Sequence, residues 1–175
     1  NTSTGSFDDI NELATFCKNN QIWLHVDGAH GAGATFSDKY KKLNLGIEKA
    51  DSIVMDFHKL FGVSALSSLL IYKSAKDSHN TFSQEAPYLS EESKLNDWES
   101  LYQKTIECTK NSSVFRIYLA LCIYGLKPLV ESLEYLFDLG SDFSTLIKNN
   151  PDFELLTEPM CNIVCFRYIS SEREL

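Results

Sequence analysis

The stretch Trp23-Leu24-His25-Val26-Asp27-Gly28-Ala29-His30-Gly31-Ala32-Gly33 sets the fold class of this chain. Residues 22–26 are a short apolar run that stops on an acid, and small residues dominate from Gly28 to Gly33. An apolar run of this length, closed by glycine, predicts a buried β-strand with a carboxylate at its C-terminal end. The small residues after it predict a tight approach of the backbone to a neighbour. Farther along the pattern returns: residues 52–55 predict a second buried strand, and Asp56-Phe57-His58-Lys59 comes at once as a loop.

Working outward, Ser6-Phe7-Asp8-Asp9 has the form of a capping box with Ser6 as N-cap. The helix it predicts runs to about residue 19, with Ile10, Leu13, Ala14 and Cys17 on one face and Asn19-Asn20 as the stop. Residues 38–45 predict a further helix. Residues 65–72 predict a third strand, apolar enough to be covered on both faces. This order indicates an α/β sheet with functional groups at strand ends. Residues 73–101 are polar, contain Pro87, and predict a long functional loop. Residues 114–124 and 127–147 predict two helices, Pro128 fitting the first turn of the second. Residues 153–156 and 163–168 predict a strand pair that opens a smaller domain.

Composition narrows the function. The formal net charge is −8, and no basic cluster interrupts it, which argues against a nucleic-acid groove or an anionic membrane surface. The apolar runs are far shorter than a membrane span. Cys17, Cys108, Cys122, Cys161 and Cys165 are odd in number and form no CxxC pair. A zinc site or disulfide framework is therefore not expected, and buried free thiols in a reducing, cytoplasmic compartment are. The loop-like start at Asn1-Thr2-Ser3-Thr4-Gly5 and the stop just after a strand lead us to expect a piece of a longer polypeptide.

Taken singly, Asp27 would be a turn or cap residue, Lys59 a solvated lysine, and the small-residue run a packing feature. Together they meet one demand. Pyridoxal phosphate needs a lysine for its aldehyde, an acid facing its pyridine nitrogen and a flat surface under its ring. Lys59, Asp27 and Ala29 are those three.

The chain resembles the group II pyridoxal-phosphate-dependent decarboxylases, the family of the glutamate, aromatic amino acid, sulfinoalanine and diaminobutyrate decarboxylases. The resemblance runs through Thr2-Ser3-Thr4-Gly5-Ser6-Phe7-Asp8, Trp23-Leu24-His25-Val26-Asp27-Gly28-Ala29, Ala50-Asp51-Ser52, His58-Lys59 and Cys165-Phe166-Arg167. It implies part of a fold-type I large domain over residues 1–115, a mixed, mostly parallel sheet with helices on both faces. The start of a smaller α+β C-terminal domain would occupy residues 116–175. By the same resemblance Lys59 binds the cofactor, Asp27 pairs with the pyridine nitrogen and Ala29 packs on the ring. His58 would lie near the phosphate, Thr2 would line the pocket, and Tyr88 would be the mobile-loop tyrosine that returns a proton to Cα. A homodimer is also implied, with apolar residues 114–124 long enough to take part.

The sequence departs from the family pattern at Asp56-Phe57, where Asn-Pro is usual. An acid beside the cofactor phosphate is unfavourable unless it bonds elsewhere, which leaves phosphate contact by Asp56 in doubt. Gly28-Ala29-His30-Gly31 also differs from the commoner Ala-Ala-Tyr or Ala-Ala-Trp. The nearest alternative is another fold-type I enzyme, such as a cysteine desulfurase or class V aminotransferase. Those usually carry a Gly-Pro-rich turn after the lysine, which Leu60-Phe61-Gly62-Val63-Ser64 is not. A scaffold that has lost its chemistry would have no physical reason to keep both Lys59 and Asp27.

Overall fold

The computed structural model describes residues 1–82, 104–107 and 109–169. Helix α1 (Ile10–Asn19) begins three residues later than the capping-box pattern predicts. Its N-cap is Asp9, whose Oδ1 accepts from the Glu12 backbone N–H at 2.9 Å. Two overlapping boxes compete here, Ser6 to Asp9 and Asp9 to Glu12, and the second wins. The Ser6 hydroxyl instead pairs with Thr4 Oγ1 at 2.9 Å, and the extended chain after it lays Phe7 against Gly31. Ile10 and Ala14 are buried as the spacing requires, while Leu13 is 43% exposed because it faces a cleft.

Strands β1 (His25–Asp27), β2 (Ser52–Asp56) and β3 (Ser68–Tyr72) form a mixed sheet in that order. β1 and β2 are parallel with Asp27 opposite Val54; β2 and β3 are antiparallel with Asp56 opposite Ser68. β3 is not covered on both faces within the described residues, since Leu70 and Ile71 stand exposed. The predicted helix over 38–45 is replaced by a short 3₁₀ helix at Lys41–Asn44, with two more before and after it at Ala32–Phe36 and Ile47–Lys49. Asn44 explains part of this. Its buried side-chain amide donates to Gly31 O at 2.9 Å and pairs with Thr35 Oγ1 at 3.1 Å, tying the segment to the turn behind β1.

The polar region after β3 is not loop throughout, because helix α2 occupies Ala75–Phe82. Two further helices, α3 (Ser113–Tyr124) and α4 (Leu126–Lys148), meet at Gly125, whose φ of 74° only glycine adopts freely. No single helix among the described residues is long and apolar enough to cross a membrane; α3 and α4 together pass by composition but are bent by 98°. The chain closes with a hairpin of β4 (Phe153–Leu155) and β5 (Phe166–Tyr168).

Among the described residues, a core joins the sheet and its turns to α3 and α4. Met55, Phe57, Leu60 and Phe61 pack with Leu129, Leu133 and Phe137 from one face of α4. A polar seam holds α4 in place: fully buried Ser37 donates to Glu134 at 2.5 Å, and the Tyr40 hydroxyl donates to Asp138 at 2.5 Å. Of the four described cysteines, all free, only Cys161 is buried and Cys122 is exposed, so the expectation of buried thiols holds at one position. Cys122 sits on the outer side of α3, where no described element covers it.

Candidate active site

The turn after β1 is built by close contacts that any larger residue would break. A Cβ at Gly28 would meet Ala32 Cβ at 2.5 Å, and one at Gly31 would meet the Phe7 ring at 2.6 Å. The neighbour that the small-residue run approaches is therefore the protein itself. Ala29 is tied across to the next strand end, its carbonyl accepting from the Asp56 N–H at 3.1 Å. Asp27 Oδ1 accepts from the Ala29 N–H at 3.2 Å, which aims the exposed carboxylate over the strand end.

Lys59 is placed by what flanks it. Phe57, Leu60 and Phe61 are all at least 95% buried, with the Phe57 and Phe61 rings 5.1 Å apart. Phe57 N–H donates to Ser67 O at 2.8 Å and Gly62 N–H to Lys59 O at 3.2 Å. Three buried anchors and two turn hydrogen bonds fix the backbone while the lysine side chain projects. A cleft of about 540 Å³ receives it, lined also by Thr2, Asp27, Ala29, His25 and His30. Pockets of this size hold small cofactors and substrates.

Four of the residues singled out from sequence, Thr2, Asp27, Ala29 and Lys59, thus share one cleft. His58 is not part of its lining. The His58 Nδ1 lies 3.1 Å from Ser67 N and 3.2 Å from Ser67 O, and its Nε2 lies 3.7 Å from Asp56 Oδ2. Tyr88 lies outside the described residues. Asp56 turns inward: its Oδ2 is 2.9 Å from Lys59 Nζ, and its Oδ1 accepts from Ser68 Oγ at 2.5 Å. Burial pushes the Asp56 carboxyl up, but hydrogen bonds from Ser68 and Lys59 and the charges of Lys59 and His58 outweigh it, so it sits below the ordinary carboxylate value.

Sequence reasoning gives no role to His25 and His30, although both line the cleft. Strand alternation is the signal that could find His25, which lies two residues before Asp27 on the same face of β1. Its Nδ1 contacts Ser52 Oγ at 2.7 Å, and that oxygen accepts from Trp23 Nε1 at 2.9 Å. His30 Nε2 meets Asn162 Oδ1 at 2.7 Å, a contact across the chain that no local pattern signals.

A lysine amine, a strand-end carboxylate and a small-residue floor in one cleft are the donor set that pyridoxal phosphate requires, so the residues present fit that cofactor. The fold is that of the fold-type I pyridoxal-phosphate enzymes: mouse CSAD superposes with a TM-score of 0.84 at 24% identity, covering 95% of this chain and 34% of that one. Residues 1–169 match the pyridoxal-dependent decarboxylase conserved domain, and the chain belongs to that family. An L-aspartate decarboxylase of Metarhizium robertsii is 30% identical across 95% of this chain and 34% of its own length. The acidic amino acid decarboxylase GADL1 of Mus musculus is 32% identical across 96% of this chain and 31% of its own. Among solved structures, the glutamate decarboxylase domain of a diaminobutyrate-pyruvate transaminase and L-2,4-diaminobutyrate decarboxylase from Vibrio parahaemolyticus has a TM-score of 0.74 at 27% identity, over 99% of this chain and 32% of that one. The chain spans about a third of the length of these relatives.

Proposed function

We propose that this chain is the lysine-bearing part of an enzyme that decarboxylates an L-amino acid to the corresponding amine and carbon dioxide. The observation that carries the proposal is the convergence of Lys59 and Asp27 on one cleft floored by Ala29. Bound pyridoxal phosphate supplies an electron-poor ring that accepts the electron pair released when the carboxylate leaves as carbon dioxide. Lys59, as a primary amine in the cleft, would hold the aldehyde end of the cofactor. Asp27 would accept from the protonated pyridine nitrogen and hold the proton at that atom. Ala29 leaves that face flat, and Thr2 lines the cleft beside it. Tyr88 is proposed as the donor that returns a proton to Cα.

The substrate class rests on the relatives, whose names specify aspartate, acidic and aromatic amino acids, and on the Vibrio diaminobutyrate enzyme. Diaminobutyrate, then glutamate or aspartate, then aromatic amino acids are the candidates in order. A homodimer is proposed, supported by the exposed apolar face of α3, with Phe115, Tyr118 and Ile123 on it. A boundary near residue 115 between large and small domains and a cytoplasmic location complete the proposal; free thiols support the latter.

The test is product analysis on the full-length protein with pyridoxal phosphate and each candidate acid. Carbon dioxide and amine in equal amounts are expected, with Lys59→Ala slower by several orders of magnitude. Sulfide from cysteine, or a keto acid without carbon dioxide, would overturn the assignment.

A further inference from the structure

Asp56 stands where an anion-binding site would be spoiled by it, and its surroundings show what it binds instead. Its side chain is only 11% exposed, and each of its oxygens has a partner. Oδ1 takes the Ser68 hydroxyl at 2.5 Å, a contact dictated by the sheet register that sets Ser68 opposite Asp56. Oδ2 takes the Lys59 ammonium at 2.9 Å. The imidazole of His58 stands with Nε2 at 3.7 Å from the same oxygen and Nδ1 against the Ser67 backbone. No other charged group reaches Asp56 among the described residues; Asp27, His25 and His30 line the cleft that Lys59 enters.

We propose that Asp56 is a positioning residue that parks Lys59 as a paired ammonium in the cofactor-free protein and hands its place to His58 when the lysine is captured. An ammonium has no lone pair to attack an aldehyde carbon. A carboxylate at 2.9 Å holds that ammonium against departure. Capture of Lys59 therefore starts by separating this pair, with the ammonium proton passing to solvent. Were Asp56 then left with Ser68 alone, a nearly buried carboxylate would lack a counter-charge, a costly state. His58 Nε2, 3.7 Å from the same oxygen, is the nearest group that can move in on it, so the pair is a store that can be opened. The same geometry accounts for His58 lying outside the cleft lining. The inference rests on the reading of Lys59 as the cofactor's lysine, but its test needs neither the cofactor nor the decarboxylation.

The experiment is competitive labelling of the full-length, cofactor-free protein with trace acetic anhydride, read site by site by mass spectrometry. Lys127, with its side chain 87% exposed, serves as the internal reference. In Asp56→Asn, which keeps the shape and the Ser68 hydrogen bond, Lys59 is expected to label about tenfold faster relative to Lys127. Asp56→Glu restores the charge and is expected to return the slow rate. Lys59 labelling within twofold of wild type in Asp56→Asn would overturn the proposal. So would equal acceleration in both variants, since loss of fit rather than charge would then be responsible. Product analysis failing while this labelling pattern holds would remove the decarboxylase assignment and leave the pair intact.

Discussion

Gly33 offers a sharp test of how the cleft is supported. It closes the small-residue run inside the 3₁₀ helix Ala32–Phe36, facing α4. An added Cβ would stand 2.9 Å from Leu133 Cδ1 and 3.1 Å from Phe61 Cζ. Both neighbours are locked, Leu133 being completely buried and Phe61 4% exposed. Gly33→Ala recovers about 0.4–1 kcal/mol through a stiffer unfolded chain. Overpacking of this kind costs about 1–3 kcal/mol. The overlap is with carbon atoms of packed side chains, so the cost dominates and the variant loses about 1–2 kcal/mol. Leu133→Ala loses more, about 3–5 kcal/mol, because nothing around so enclosed a site can collapse into the cavity. Combined, the two changes compensate: the methyl on residue 33 enters the space that Leu133 Cδ1 vacates. Urea unfolding of the full-length proteins, tracked by circular dichroism, should rank wild type first and Gly33→Ala second. The double variant comes third and Leu133→Ala last. A double variant that unfolds before Leu133→Ala would refute the contact geometry, and so would a Gly33→Ala protein more stable than wild type.

Asp27→Ala should leave Lys59 able to react while weakening pyridoxal phosphate binding and slowing turnover, which equilibrium dialysis and rate measurements on the full-length protein check together. Tyr88→Phe should still release carbon dioxide while amine formation slows roughly a hundredfold; parallel assays of carbon dioxide, amine and aldehyde check this. Asp56 predicts a pH signature. Its folded-state value is depressed, so its stabilising contribution is present above the ordinary carboxylate value of 3.8 and is lost as pH falls through the lower folded value. The thermal advantage of wild type over Asp56→Asn should therefore be constant from about pH 5 to 7 and shrink below about pH 4.

The parts of the site that are legible in sequence are those written in adjacent residues. Asp27 ends one short apolar run and Lys59 comes in the loop directly after another, so both stand at strand ends. What stays hidden depends on choices between equivalent local signals. Ser6 and Asp9 both head a capping pattern, and only the use of Phe7 against Gly31 selects the second. The segment 38–45 has helical composition, yet the Asn44 amide spends its hydrogen bonds on Gly31 and Thr35, and only a 3₁₀ helix at Lys41–Asn44 forms. The polar composition around residues 75–82 conceals α2, whose buried position is taken by Ser78 and not by an apolar residue. The position of His58 is beyond reach of local pattern, since it is set by a backbone N–H nine residues away.

The cleft wall also has a place in time. Gly5 O accepts from Cys161 Sγ at 3.4 Å, Ser3 O from Cys165 Sγ at 2.8 Å, and His30 meets Asn162, joining residues separated by 132 to 162 positions. Ile163 completes the lining that Thr2 and Asp27 begin. A chain emerging from the ribosome presents its lysine and acid long before these partners exist. Ring closures over such spans are slow to form because the entropy of joining the ends must be overcome first. Lys59 and Asp27 thus wait on the ribosome beside an open wall, and the cleft takes its enclosed form only after residues 161–165 have been made.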